Sequence, residues 1–212
     1  MNRFKKSVIV LVVIAGIVLA ACSYLNKKTV PQTISNFSST VKGGVQEIAS
    51  GSRNSVPLNS ETVQYYFPRA GQKPEPVLVN IIDSAKSNVD MAIYSFTDKD
   101  IANALISAKK RGVTVRVISD RECSQEKSQK TVLDSLKNKD IPVKINSHTG
   151  IMHLKVTIAD KNITTTGSFN YTHAAETEND EVFVVLDDPK IASNFDGEFT
   201  QMWDDTQNYK NF

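Results

Sequence analysis

From Val63 onward the apolar residues recur with a period of two and a period of three to four by turns. That alternation confines this part of the chain to layers of strand and helix. Residues 63–67 read as a strand. A helix opens at Glu75-Pro76, since Pro suits a first helical turn, and Leu78, Ile81, Ile82 and Ala85 supply its apolar face. Residues 89–96 form an apolar run short enough for a buried strand. Thr97 or Asp98 caps a second helix lined by Ile101, Leu105 and Ala108, and Gly112 ends it. Residues 113–118 carry Val at every second position and read as a strand. A third helix over 125–138 centres on Val132, Leu133 and Leu136, and 142–145 is short and extended.

Beyond this point the spacing tightens. Strands are expected at 153–159, 163–166 and 181–186, the first two joined across Asp160-Lys161-Asn162. Pro189 starts a last helix with Ile191, Phe195, Phe199 and Trp203 at steps of four. Alternating strands and helices imply parallel pairing, and closely spaced strands imply antiparallel pairing. The expectation is one α/β domain over 63–212, a mixed β-sheet flanked by helices on both faces, with no internal repeat.

The N-terminus reads as an address. Three positive charges in residues 1–6 precede an uncharged, mostly Val/Ile/Leu/Ala stretch over 7–21. These are the charged and apolar regions of a secretory signal. The stretch ends in Leu19-Ala20-Ala21-Cys22, which resembles the bacterial lipobox, a resemblance that implies lipidation of Cys22. The alternative is an uncleaved anchor, because the 20 residues from Ser7 to Asn26 carry no charge and are long enough to span a bilayer. Either way, residues 1–22 hold the protein to a bacterial cell membrane with its body outside the cytoplasm. Residues 23–62, rich in Ser, Asn, Thr, Gln and Gly, read as a flexible tether with a root-mean-square reach of roughly 35 Å, apart from a weak helix near 41–48. With Cys22 acylated, Cys123 has no disulfide partner and is given no catalytic role.

The chemistry concentrates in His153-Leu154-Lys155, followed by Asp160, Gly167-Ser168-Phe169-Asn170 and Glu181. On a strand, positions i and i+2 share a face, so His153 and Lys155 are expected to project together and Leu154 and Val156 to be buried. A neutral imidazole beside an ammonium suits attack on a phosphodiester: the ring nitrogen is the nucleophile, and the cation offsets charge on the non-bridging oxygens. Ser168 and Asn170 supply further donors. Glu181 is expected to hold the second imidazole nitrogen and fix its tautomer. Asp160, at the strand end, suits backbone or polar partners better than substrate. An H-x-K pair is common by itself; the G-S-x-N and the following acid make the set specific. Neither His148 nor His173 is followed by a Lys two residues on. His148, in a polar loop, is a candidate for the substrate entrance, and His173 is expected to be exposed. No spacing suggests a metal site, so neither metal nor cofactor is expected.

This pattern resembles the phospholipase D superfamily, whose signature is H-K-D followed by G-S-x-N, and within it the small single-motif bacterial endonucleases. The likeness extends to Tyr94-Ser95-Phe96-Thr97, to the run from Asp100 to Val113, and to Gly167-Ser168-Phe169-Asn170-Tyr171-Thr172 through Asn179. It implies the phospholipase D-like fold, catalytic roles for His153, Lys155, Asp160, Ser168, Asn170 and Glu181, and a phosphohistidine intermediate without metal. The mechanism needs two histidines, so a single motif implies a homodimer that brings two His153 residues together.

Three substrate readings stay open. The resemblance implies a nuclease acting on DNA, with RNA as a second polymer. A membrane tether equally favours a phospholipase D-type hydrolase or transferase acting on phospholipid headgroups. The third reading is a phosphate-polymer binding module without turnover. Residues 63–212 carry a net charge of −3, which weighs against strong non-specific affinity for nucleic acid, and residues 175–205 hold ten acids against one base.

Overall fold

The structure, a computed structural model, describes residues 63–212. The signal or anchor, Cys22, the tether and the weak helix at 41–48 lie outside the described residues. The elements run β1 (Val63–Tyr66), a 3-10 turn (Pro68–Ala70), α1 (Pro74–Ser84), β2 (Asn88–Ile93), α2 (Lys99–Lys110), β3 (Thr114–Ser119), a second 3-10 turn (Cys123–Gln125), α3 (Lys127–Lys137), β4 (Val143–Asn146), β5 (Lys155–Ala159), β6 (Ile163–Gly167), α4 (His173–Thr177), β7 (Phe183–Asp187), α5 (Pro189–Asp204) and β8 (Tyr209–Asn211). Of the two candidate caps for α2, Asp98 acts, accepting from the backbone N–H of Asp100 and Ile101. Asp188 caps α5 in the same way, with Pro189 in its first turn. α4 and β8 are not anticipated by periodicity. Five and three residues are too few to show a period, and β8 exists because its backbone completes β4 at the sheet edge.

The eight strands form one mixed sheet in the order β1-β7-β6-β5-β2-β3-β4-β8. β2, β3 and β4 are parallel, linked through α2 and α3. The remaining neighbours are antiparallel, including β5 on β2, where Ile93 lies opposite Lys155 and Val89 opposite Ala159. Helices cover both faces, as expected. Val89, Met91, Ile93, Val115 and Val117 face the core shared with α1, α2 and α3, including Leu78, Ile101, Leu105 and Leu133. Ala92, Ile118, Val156 and Ile158 face α5 through Ala192 and Phe199. The same face holds a charge pair that the apolar pattern hides. Asp90, 1 % exposed, accepts from Arg116 through Nε at 2.7 Å and Nη2 at 2.9 Å, and the guanidinium lies over the rings of Phe199 and Trp203. Two bonds to one carboxylate and two aromatic faces offset the cost of withdrawing both charges from water.

The β5–β6 hairpin turns at Asp160 (φ 54°) and Lys161 (φ 53°), closed by Asn162 N–H donating to the Ala159 carbonyl at 2.9 Å. Two successive left-handed residues make a tight turn whose twist matches the strands. The Asp160 carboxylate reaches across the sheet end. It accepts from the backbone N–H of Lys86 (2.8 Å), Ser87 (2.7 Å) and Asn88 (3.0 Å) and from the Ser87 hydroxyl (2.8 Å). Burial alone would raise its pKa; these donors overcome that effect and hold it below the ordinary carboxylate value. A depressed carboxyl pKa contributes stability above the unfolded-state value, and the contribution is lost as pH falls through the folded-state value. Asp160→Ala is therefore expected to cost about 2 kcal/mol near neutral pH, measured by thermal unfolding, with the deficit shrinking only in acid. An unchanged melting temperature at neutral pH would contradict this role.

Candidate active site

The antiparallel insertion of β5 beside β2 places five chain segments on one rim of the sheet. β1, β6 and β2 end there, and β7 and β5 begin there. The rim thus collects Tyr94 after β2, His153 and Lys155 at the start of β5, Ser168 and Asn170 after β6, and Glu181 before β7. Asp160 is not brought to this group. It lies at the far end of β5, about 16 Å away at 3.3 Å per residue, and its carboxylate is engaged by the backbone of residues 86–88.

Lys155 is 6 % exposed, and its ammonium donates to the His153 carbonyl at 2.9 Å and lies 4.9 Å from the centre of the Tyr94 ring. Burial lowers its pKa, and the negative charge of Glu181 works in the opposite direction. His153 is exposed, its ring packed edge-on against Tyr94 at 4.6 Å between centroids. The strand begins two residues later than expected, at Lys155, so pleat alternation does not set the His153 direction. The Lys155 bond, the Tyr94 ring and a 2.8 Å bond from Tyr94 N–H to the Leu154 carbonyl hold it instead. For the same reason Leu154 is 44 % exposed rather than buried. Val156 is carried over the core, while Leu154 stands at the rim outside the strand.

Glu181 also departs from expectation. Its carboxylate accepts from the Ser168 hydroxyl and, at 3.3 Å, from Asn179 Nδ2, and not from the imidazole. Ser168 Oγ in turn accepts from Val182 N–H at 3.1 Å, so its hydroxyl hydrogen is already engaged with Glu181. The motif glycine explains how these groups come so close. At Gly167 (φ 134°) a Cβ would lie 2.1 Å from the Val182 carbonyl oxygen, a separation no other residue tolerates. Asn170 uses Oδ1 to accept from Ser95 N–H at 3.3 Å, which leaves its amide nitrogen as a donor.

Three buried polar side chains that sequence reasoning passes over fasten this rim. Gln129 of α3, 1 % exposed, donates to the Tyr94 carbonyl and to Ser119 Oγ and accepts from Phe96 N–H. One signal could have found it: Gln129 occupies the apolar stripe that continues through Val132, Leu133 and Leu136. Asp120, after β3, accepts from the N–H groups of Met152, Glu122 and Cys123 and so ties down the segment entering His153. Asn146 of β4 bonds Arg121 N–H and the Gly150 carbonyl. Cys123 is half-buried, and burial pushes its pKa up, away from a reactive thiolate. His148 stacks edge-on against Tyr209 of β8, and His173 is exposed at the start of α4.

Glu75, Asp98 and Asp100 bring carboxylate oxygens within 4.8 Å of one another, the sole such cluster among the described residues. Asp98 Oδ1 is committed to capping α2. Burial and then the charges of Asp98, Asp100 and Glu176 raise the Glu75 pKa. The cluster shares no residue with the His153 group.

The model of the "Cardiolipin synthase, PLD-like domain" family matches residues 78–203. The chain belongs to the phospholipase D superfamily. Its structure resembles that of Nuc from Salmonella typhimurium, a phospholipase D family member, with a TM-score of 0.65 and 36 % identity over 71 % of this chain and 97 % of that one. It also resembles NucT from Helicobacter pylori, with a TM-score of 0.63 and 28 % identity over 71 % and 98 % of the respective chains. In sequence it is 39 % identical over 118 residues to a phospholipase D of Rickettsia conorii, 56 % of this chain and 58 % of that protein. It is 32 % identical over 126 residues to a mitochondrial cardiolipin hydrolase of Chlamydomonas reinhardtii, 59 % and 56 % of the two. The chain thus spans less than two thirds of the length of these two relatives.

The charge relation within the rim is open to direct measurement. Lys155 is expected to titrate below the ordinary lysine value in an NMR titration of labelled lysine side chains, and Glu181→Gln is expected to move it to still lower pH. A Lys155 resonance that ignores the substitution would show that the two charges do not interact.

Proposed function

We propose that the protein is a metal-independent phosphodiesterase, a nuclease that hydrolyses DNA, and RNA as well, through a phosphohistidine intermediate. One observation carries the reading: an exposed imidazole and a buried ammonium meet at one aromatic ring, and the ammonium donates to the backbone carbonyl of the same histidine. The His153 ring nitrogen attacks phosphorus, and the bond from phosphorus to the leaving oxygen breaks. Lys155 and the Asn170 amide offset charge on the non-bridging oxygens, and Ser168 joins them once it turns from Glu181. Glu181 opposes loss of the Lys155 charge. The leaving oxygen takes a proton from a second imidazole. That imidazole then accepts a proton from water, which displaces the His153 nitrogen from phosphorus. His153 of a second copy supplies the second imidazole, so the active form is a homodimer. Asp160 acts on the fold and not on the reaction.

The choice of nucleic acid rests on the resemblance to single-motif endonucleases and on the likeness to Nuc and NucT over nearly their whole length. A phospholipase D-type reaction on phospholipid headgroups is the second reading. It is favoured by the cardiolipin hydrolase among the relatives and by Ile151 and Leu154, 48 % and 44 % exposed on either side of His153. The N-terminal reading is carried forward with it: an acyl group on Cys22 that tethers the domain outside the cytoplasm.

In chelator, the full chain is expected to nick plasmid DNA and leave phosphatidylcholine and cardiolipin vesicles intact. His153→Ala should abolish nicking, and Lys155→Ala should lower it by about three orders of magnitude. Headgroup release without nicking would select the lipid reading, and turnover by His153→Ala would end both. A fully active monomer in sedimentation would exclude the paired-histidine scheme. Metabolic labelling with a fatty acid should be lost in Cys22→Ala, and persistent label would refute lipidation there.

A further inference from the structure

Among the described residues, four large apolar side chains are exposed, and they stand at two places on the same rim. Ile151 and Leu154 flank His153. Phe67 (46 % exposed) and Tyr65 (62 % exposed) stand at the end of β1, edge-on to each other at 5.9 Å between centroids. Exposed rings concentrated beside a reactive centre mark a binding surface rather than stray surface residues. Phe67 forms one wall of an open cleft of about 490 Å³ that is also lined by Arg69, Ala70, Ser168, Asp180, Glu181 and Val182. Two of these residues, Ser168 and Glu181, belong to the candidate active site, so the cleft is continuous with it. Three strand spacings separate β1 from β5, about 14 Å at 4.8 Å each.

We propose that this cleft is a subsite for an unpaired nucleobase of a single-stranded nucleic acid whose phosphodiester lies at His153. The inference rests on the nuclease reading and adds to it a preference for unpaired strands. Three features select this occupant. The path from His153 to Phe67 runs past the Ser168 hydroxyl and the Glu181 carboxylate, groups able to hydrogen-bond a sugar hydroxyl. The path ends at aromatic rings, which any base stacks on without regard to sequence. Arg69 stands beside them. It donates Nη1 to the Glu178 carbonyl at 2.9 Å, and its contact with Asp180 is a loose, solvent-exposed pair at 3.6 Å. Such a pair holds the guanidinium weakly and leaves it free to meet a backbone phosphate. The overall acidity of the domain is consistent with this arrangement, because stacking supplies affinity that charge does not.

The test uses the full chain carrying His153→Ala, so that the probe survives, and fluorescence anisotropy of a labelled oligothymidylate in chelator. Adding Phe67→Ala to that chain is expected to weaken binding about 5- to 100-fold, and Phe67→Trp to restore it. An abasic oligonucleotide of the same length is expected to bind alike with and without the Phe67→Ala change. Equal affinity of these two proteins for oligothymidylate would overturn the subsite. So would an equal loss on the abasic probe, a loss confined to phosphatidylcholine or cardiolipin vesicles, or a change in oligomeric state on sedimentation. Cleavage by the chain with His153 intact separates the two claims. Failure to cut DNA at all refutes the nuclease reading. Cutting with an unchanged KM for single-stranded DNA in Phe67→Ala refutes the subsite alone.

Discussion

β5 lies antiparallel against β2, and the placement of every candidate functional group follows from that pairing. A fully parallel arrangement would put the start of β5 at the opposite rim from the end of β2. Reversal brings the His153–Lys155 segment to the place where Tyr94 leaves the sheet, and where Asp120 and Asn146 close β3 and β4. Loops at the carboxyl ends of parallel strands are free of the sheet's own hydrogen-bonding demands, which is why open α/β sheets build sites there. Here the antiparallel half adds its own ends to the same rim.

Loops carrying reactive groups need fixing, and this protein does it with side chains that are themselves buried. Gln129 uses its amide on the Tyr94–Phe96 backbone, and Asp120 uses both carboxylate oxygens on the segments around Cys123 and Met152. Each acceptor or donor is satisfied, so burial costs little and the geometry is rigid. Tyr94 is the link between the two networks. Its backbone is held by Gln129 and Leu154, and its ring touches both His153 and Lys155. A half-exposed ring can hold a buried ammonium by its face while an imidazole packed edge-on against it stays exposed.

The four long helices were legible in the amino-acid sequence because long apolar periods and capping residues speak for themselves. Asp98, Asp188 and Pro189 mark helix starts by local chemistry alone. Strand ends were less legible. His153 and Leu154 continue the pattern of β5 yet fall outside it, since a strand stops where its neighbour stops, and the neighbour, β2, is distant in the chain. The Ser168–Glu181 contact is of the same kind. Spacing put a carboxylate within reach of the site but could not assign its partner, and the close approach at Gly167 gave it to Ser168. The Asp90–Arg116 pair and Gln129 were hidden because an apolar period tolerates one polar residue without losing its shape.

By itself the amino-acid order determined the layered α/β class and the family signature H-x-K, G-S-x-N and a following acid. These depend on residue type and short spacing, which are local properties. Tertiary structure decided which strand lies beside which, which rim receives the reactive groups, that Asp160 sits at the far end of β5, and that two exposed rings stand at the end of β1. Those outcomes depend on contacts between residues distant in the chain, where hydrogen-bond register and burial, not local preference, choose among the arrangements the pattern allows.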